Sequence, residues 1–327
     1  VHSGDGYPEF VVKRVLLASP RGYCAGVERA VETVEKALDL YGPPVYVRKQ
    51  IVHNIHVVRD LEERGAIFVE SEEDVPPGET VVLSAHGVAP SVHANASARQ
   101  LNTIDATCPL VTKVHVQARR YAEAGYRVVL IGHAGHEEVV GTMGEAPEAI
   151  VLVESVADAE ALELAPDERL AYITQTTLSV DETGEIISVL RRRFPDIHAP
   201  KKEDICYATS NRQWAVKEML AEVDLLLVIG SRNSSNSNRL VDVARAAGVR
   251  SYLIDDETEI DEAWLGDVET VGVTSGASAP ESLVERVCDW FGARGAEVEQ
   301  YRMVDEDVTF RLPVELRREL ALAETQS

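Results

Sequence analysis

Val223-Asp224-Leu225-Leu226-Leu227-Val228-Ile229, running into Gly230-Ser231-Arg232-Asn233-Ser234-Ser235-Asn236-Ser237-Asn238, is the stretch on which the fold turns. An apolar run of this length, closed by turn residues, reads as a strand buried on both faces. It is the longest apolar run in the chain and falls far short of the roughly 18–20 residues a membrane helix needs. The polar run after it leads to a helix expected to begin near Arg239. Strand, polar turn and helix make one βα unit. At a helix start, the hydroxyls, amides and free backbone N–H groups of Ser231–Asn238 form a cradle for an anion. No Walker motif or G-x-G-x-x-G fingerprint accompanies it, so a nucleotide is not the obvious anion.

The same punctuation recurs outward from this stretch. Val11-Val12-Lys13-Arg14-Val15-Leu16-Leu17 stops at Ser19-Pro20-Arg21-Gly22, and a helix follows with Val27, Val31, Val34 and Leu38 on one stripe. Val81–Leu83, Val128–Ile131, Ala171–Ile173 and Thr270–Val273 are further apolar runs, each closed by a turn or helix. Alternating strands and helices predict parallel sheets with covered faces. From Glu297 onward the character changes. A short strand over Val308-Thr309-Phe310-Arg311-Leu312 and a charged helix after Pro313 read as an arm laid across the domain.

An internal repeat organises these units. Cys24, Cys108 and Cys206 lie 84 and 98 residues apart (108 − 24 and 206 − 108), each after a strand-like stretch and before a helix-like one. His53, His136 and Ser234 follow them by 29, 28 and 28 residues, at another strand end (53 − 24, 136 − 108, 234 − 206). His86, Thr176 and Ser278 occupy a third strand end in each section. The expected fold is therefore α/β, with three pseudo-symmetric lobes of small, mostly parallel sheets around a central site. The expected divisions are 13–108, with the N-terminal strand, then 109–205 and 206–297, with an arm at 298–327. Ligands bind at the carboxyl ends of strands in open α/β sheets, so three lobes facing a common centre would bring the nine positions together.

Composition narrows what that centre could bind. The 32 basic and 55 acidic residues leave a charge of −23, which repels nucleic acid and anionic membranes. At 45% hydrophobic and 27% charged, the chain is neither disordered nor collagen-like. Four cysteines in 327 residues are too few for a disulfide scaffold and suit a reducing compartment. The start, Val1–Gly6, has neither a basic region nor an apolar one, and is not read as a secretory signal.

Three thiolates at one centre can hold zinc or an iron–sulfur cluster, and helix N-termini are expected to lower the thiol pKa. Pro109, right after Cys108, suits a first helical turn. The close C-x-x-C spacing of common sites is missing, so spacing alone does not name the metal. Cys288, among Leu283, Val284, Val287 and Phe291, reads as core. His2, His93, His115 and His198 read as solvated or locally capped, and His56 and His133 stay undecided. Glu138, close behind His136, is a candidate proton donor near Thr176.

The ordered motifs resemble one family. They are Pro20-Arg21-Gly22-Tyr23-Cys24-Ala25-Gly26-Val27, Ser84–Val88, Asp105–Val111, Gly141–Gly144, Thr174–Ser179, Cys206–Gln213, Asn233–Leu240 and Gly276–Glu281. Together, from about residue 13 to about 312, they look like the LytB/IspH family of 4-hydroxy-3-methylbut-2-enyl diphosphate reductases. The resemblance implies an oxygen-sensitive four-iron–four-sulfur cluster ([4Fe-4S]) on Cys24, Cys108 and Cys206, with one iron free of protein ligand. It implies the last step of the methylerythritol phosphate route to isoprenoids. Two electrons and two protons expel the substrate hydroxyl as water, giving isopentenyl diphosphate and dimethylallyl diphosphate. It assigns the diphosphate to His53, His86, Ser234, Ser235, Asn236 and Ser278, with His136 close by, and proton delivery to Glu138 helped by Thr176.

One position departs from the family. It usually has Pro between the His and Glu of the second lobe, and this chain has Glu137, expected to point to solvent. Rival readings are a non-redox iron–sulfur hydro-lyase and a three-lobed phosphate-binding protein with structural zinc. The expected compartment is the cytoplasm, or the plastid stroma in a photosynthetic eukaryote. No flavin or nicotinamide motif appears, so electrons must come from a partner such as ferredoxin or flavodoxin. Arg191-Arg192-Arg193 with Lys201-Lys202 is the candidate basic patch for docking it.

Overall fold

The apolar runs become strands of three separate sheets in which every pairing is parallel. The computed structural model describes residues 11–164 and 168–326; His2 and the start Val1–Gly6 lie outside the described residues. In chain order the elements begin with β1 (Arg14–Ser19), α1 (Ala25–Tyr41), β2 (Val45–Arg48), α2 (Ile55–Glu63), β3 (Ala66–Val69), β4 (Thr80–Leu83), α3 (Pro90–Ala98) and β5 (Asn102–Asp105). They continue with α4 (Pro109–Glu123), β6 (Tyr126–Ile131), α5 (Glu137–Glu145), β7 (Ile150–Val153), α6 (Val156–Ala161), β8 (Arg169–Thr174) and α7 (Val180–Arg193). Last come α8 (Tyr207–Met219), β9 (Leu225–Ile229), α9 (Ser235–Ala246), β10 (Arg250–Ile254), β11 (Thr270–Ser275), α10 (Glu281–Gly292), β12 (Glu297–Arg302) and α11 (Val314–Gln326).

The repeat is written into the strand orders: β3-β2-β4-β5, β7-β6-β8 and β10-β9-β11-β1-β12. Each sheet contains the same parallel triplet, with its first strand in the middle. One hydrogen bond marks the equivalence. The N–H just past the third strand donates to the carbonyl at or just past the end of the first: Ala85 to Ile51 at 3.2 Å, Gln175 to Ile131 at 2.8 Å, and Gly276 to Ile229 at 2.9 Å. Each sheet is also extended beyond that third strand, by β5, by a parallel bridge between Ala171 and His198, or by β1. Cys108, Cys206 and Cys24 follow these extensions in turn.

Contacts gather the chain into two units: Cys24–Ser210 with Asp307–Ser327, and the chain up to Tyr23 with Asn211–Glu306. The larger unit holds the first two sheets. The smaller unit holds the third, in which β9, the middle strand of the triplet, is buried at all five residues. Such burial is worth about 1.5–3 kcal/mol per large apolar side chain, as an upper estimate.

Several expectations change at this level. Arg14–Ser19, expected in the first lobe, pairs with β11 and β12 instead. It is apolar on both faces: Val15 and Leu17 join Leu225, Leu227 and Ile229, while Leu16 and Ala18 join Leu226 and Val228. Only a central position covers both. The last strand is Glu297–Arg302, and Val308–Leu312 forms none. The stripe of α1 is Ala30, Thr33, Val34, Ala37 and Leu38, with Val27 and Val31 only half-buried. Helix α9 starts at Ser235 rather than near Arg239, because Ser234 caps it by accepting from the Ser237 N–H. Among the described residues no helix is long and apolar enough to cross a membrane.

Candidate functional site

Each of the three cysteines opens a helix. Cys24 and Cys108 are the N-cap residues of α1 and α4, with Pro109 at the first helical position, and Cys206 directly precedes α8. Two are tied to strand-end loops of the larger unit. Cys108 N–H donates to Ala85 O at 3.0 Å, beside His86, and Cys206 N–H donates to Thr176 O at 3.0 Å. Cys206 Sγ lies 3.2 Å from Thr209 Oγ1 and accepts from the Thr209 N–H at 3.4 Å.

The expected lowering of the thiol pKa by the helix ends does not prevail. Burial, added to by the neighbouring cysteines, pushes Cys108 up to about 12 and Cys206 up to about 11. These thiols ionise when a cation arrives to take the proton's place, so binding releases protons. Among the described residues no three His, Cys, Asp or Glu side chains close on one ion-sized position. Fit for a wider group is tested by the space at Gly26. A Cβ there would stand 2.7 Å from Cys108 Sγ and 3.8 Å from Cys24 Sγ. The second residue of α1 thus keeps a cradle open beside two sulfurs, and the donor set fits an iron–sulfur cluster.

Of the nine repeat-phased positions, His53, His86 and His136 come together. His53 and His86 stack at 4.0 Å, and His136 meets them edge-on at 5.5 and 5.8 Å. Burial lowers His53 and His136 to about 4 and holds His86 well below the usual imidazole range. All three are neutral near pH 7. His136 also caps α5, its Nδ1 accepting from the Glu138 N–H at 3.2 Å, which assigns the ring proton to Nε2. His86 Nδ1 is buried without a hydrogen-bond partner.

Glu138 is 2% exposed. Thr176 holds both its oxygens: N–H to Oε1 at 2.6 Å and Oγ1–H to Oε2 at 3.0 Å. Burial, outweighing these hydrogen bonds and helped by the charge of Asp204, raises its carboxyl to about 7. A line of contacts and chain neighbours thus runs from Cys108 through Ala85–His86, His136, Glu138 and Thr176 to Cys206.

In the smaller unit, Ser234, Asn236 and Ser278 are buried and Ser235 is half-buried. Ser234 Oγ lies 3.4 Å from Ser278 Oγ, and Asn236 Oδ1 accepts from the Ala277 N–H at 2.8 Å. Ser237, read only as one residue of the polar run, donates from Oγ to Ser234 at 2.9 Å. Its Oγ would stand 2.2 and 2.0 Å from a Cβ at Gly230 or Gly276, so the two glycines and Ser237 are fitted to one another.

Three sequence expectations fare differently. Glu137 does not point to solvent: it faces Arg48 at 3.9 Å and Lys49 at 3.7 Å, on the segment leading to His53. His115 is buried rather than solvated, with Nδ1 2.8 Å from Glu145, which also pairs with Arg119 at 2.6 Å. The arginine run is engaged locally, with Arg191 on Tyr172 Oη, Arg192 on Glu160, and Arg193 on the Ala159 and Leu162 carbonyls. Cys288 sits half-buried against the α10 core, as read.

The pattern of the family described as LytB protein matches residues 15–291. A 4-hydroxy-3-methylbut-2-enyl diphosphate reductase of Acidothermus cellulolyticus is 63% identical over 96% of this chain and 93% of its own length. Its counterpart in Streptomyces coelicolor is 58% identical over 94% of this chain and 92% of its own. The structure of the E-1-hydroxy-2-methyl-but-2-enyl-4-diphosphate reductase from Plasmodium falciparum superposes with a TM-score of 0.92 at 38% identity. It covers 96% of this chain and 99% of that one. A second structure, of (E)-4-hydroxy-3-methyl-but-2-enyl diphosphate reductase, described as the terminal enzyme of the non-mevalonate pathway, gives 0.62 at 31% identity. It covers 86% of this chain and 100% of that one.

Proposed function

The chain belongs to the LytB protein family, and from that premise we infer that it is an enzyme that reduces 4-hydroxy-3-methylbut-2-enyl diphosphate. The reaction is the terminal step of the non-mevalonate route, yielding isopentenyl and dimethylallyl diphosphates. The observation that carries this reading is the line of contacts from Cys108 to Cys206, which joins half-buried thiols, neutral imidazoles and a buried carboxyl.

Cys24, Cys108 and Cys206 would hold a [4Fe-4S] cluster. When bound, that group would supply electrons and Lewis acidity toward the substrate hydroxyl. The rest is the protein's work. His53, His86 and His136 act as neutral N–H donors to the diphosphate, and burial makes each such charge-assisted bond stronger. Ser234, Ser235, Asn236 and Ser278 are assigned to the same anion, supported by their polar side chains, buried or half-buried at the start of α9 and just past β11. These local donors work against the overall charge of −23. Glu138, protonated, delivers the proton that lets the hydroxyl leave as water, and Thr176 fixes the orientation of its carboxyl. Electrons come from an acidic donor protein of the ferredoxin or flavodoxin kind. The cytoplasm is the compartment we assign, supported by four cysteines that all stand as free thiols.

Two expected outcomes arise here. Because the Glu138 carboxyl sits near 7 and acts as an acid, kcat/KM with a small-molecule reductant should fall as pH rises through about 7. The histidines, already neutral above about 4, add no inflection in that range. An activity that rises through pH 7 would contradict the acid role. Glu137→Gln should change turnover by no more than about fivefold, since part-exposed ion pairs are worth about 0.2–1 kcal/mol. Steady-state kinetics on the purified variant check it.

The test of the reading is anaerobic reconstitution with iron and sulfide, followed by product analysis on the hydroxy-diphosphate with and without reductant. Both isoprenoid diphosphates should form only with reductant. Turnover without it would identify the hydro-lyase, and a protein that holds zinc but no sulfide would identify the phosphate-binding protein.

A further inference from the structure

Three cations recur at one phase of the repeat. Arg29, Lys113 and Arg212 stand five, five and six residues past Cys24, Cys108 and Cys206 (24 to 29, 108 to 113, 206 to 212). Each lies on the helix its cysteine opens, α1, α4 or α8. Each reaches the backbone carbonyls that lead into another of the cysteines, in cyclic order. Arg29 Nη1 donates to Ala106 O at 2.9 Å and Thr107 O at 3.0 Å, just before Cys108. Lys113 Nζ donates to Lys202 O at 3.0 Å and Glu203 O at 2.7 Å, and meets the Asp204 carboxylate at 3.0 Å, just before Cys206. Arg212 Nη2 donates to Gly22 O at 2.9 Å and Arg21 O at 3.4 Å, just before Cys24.

The chemistry suits a spacer. An ammonium has three N–H donors, and Lys113 has three oxygens within reach, so its head is held from three sides. Arg29 and Arg212 are 8% and 0% exposed, and their planar forks bridge adjacent carbonyls. Asp204, buried beside Lys113, accepts from the Thr174 N–H at 3.1 Å and so ties the same loop to the end of β8. Both ends of every tether fall within a few residues of a cysteine, so little chain is left to flex between one thiol and the next.

We propose that Arg29, Lys113 and Arg212 are positioning residues that set the spacing of the three cysteines, and so the retention of the group they hold. The inference rests on the assignment of a cluster to these thiols. Lys113, the most exposed of the three, is the place to test it. Lys113→Met, loaded anaerobically, should lose iron to a chelator about tenfold faster than wild type or more, as changes to outer partners of metal ligands do. Lys113→Arg, which keeps a cationic N–H donor, should recover part of the difference, and Lys201→Met, an exposed charge next to the same loop, should release at the wild-type rate. Leu190→Ala, a cavity in the α7 core, supplies a variant of reduced stability for comparison. If iron loss merely follows the melting temperature of the apoproteins across the set, the tether is a plain stability contact and the proposal fails. Equal retention in Lys113→Met and wild type also overturns it. Should Lys113→Met not fold, Asp204→Asn weakens the same tether from its other end and should show the faster release. A wild type that takes up no iron and sulfide would overturn the cluster assignment itself, and the tether role with it.

Discussion

Glu138→Gln should lose about a hundredfold to ten-thousandfold in turnover, the usual worth of a positioned general acid, while its iron and sulfide content stays at the wild-type level. The substitution preserves shape, and an amide oxygen can still accept from the Thr176 N–H that now reaches Oε1 at 2.6 Å. What disappears is the titrating proton. The carboxyl is buried and raised to about 7, which keeps much of it protonated at neutral pH without a strong external acid. The loss should fall on kcat, since His53, His86 and His136 keep their packing and hence the hold on the diphosphate proposed for them. The same substitution should also abolish the decline of activity above pH 7. A variant that keeps most of its turnover, with Glu137→Gln losing it, would move the proton donor one residue back.

Gly26→Ala should fold normally and fail to assemble the proposed cluster, with iron retained after reconstitution down about tenfold or more. On backbone grounds alone the change is favourable, because Gly in a helix is roughly 0.5–1 kcal/mol worse than Ala. The obstacle is the new methyl group, 2.7 Å from Cys108 Sγ and 3.5 Å from its Cβ. Below 3 Å something must move, and what moves is a proposed ligand. Iron content should therefore fall by far more than the apoprotein's melting temperature accounts for, a signature that ordinary destabilisation does not produce. Full iron content in Gly26→Ala would show that the space beside Gly26 is not needed for the bound group.

Much of the fold was legible because it is carried by local pattern. Leu225–Ile229 is uniformly apolar and becomes a strand buried at every residue. The spacing of Cys24, Cys108 and Cys206 exposed a repeat that the three strand triplets bear out. What escaped depends on distant partners. Nothing in Arg14–Ser19 tells that it pairs with Thr270–Val273 and Glu297–Arg302. Glu297–Arg302 carries charges at 297, 299 and 302, as suits an edge strand, and so gave no apolar signal. The first turn of α9 is Ser-Asn-Ser-Asn, poor helix formers that Ser234 nonetheless caps.

Among site residues, the histidines and Glu138 stood out by their phase in the repeat. Gly26 did not, because a glycine in a helix reads as a weak point until the sulfur beside it is seen. His115 looked like any helical histidine, since its partner Glu145 lies thirty residues on (145 − 115). The arginine run, read as a docking patch, also makes local contacts that the sequence does not reveal, with Arg193 on carbonyls at the end of α6 and Arg191 on Tyr172 of β8.

The measurement closest to the central claim is the electron count of the reaction. Anaerobically reconstituted protein is mixed with a reduced dye, and dye oxidation is followed on adding the allylic hydroxy-diphosphate. The account requires oxidation that depends on substrate, two electrons for each molecule converted, with both isoprenoid diphosphates as products and the rate lost in Glu138→Gln. A fully loaded protein that leaves the dye reduced, or that converts substrate without consuming electrons, would contradict it.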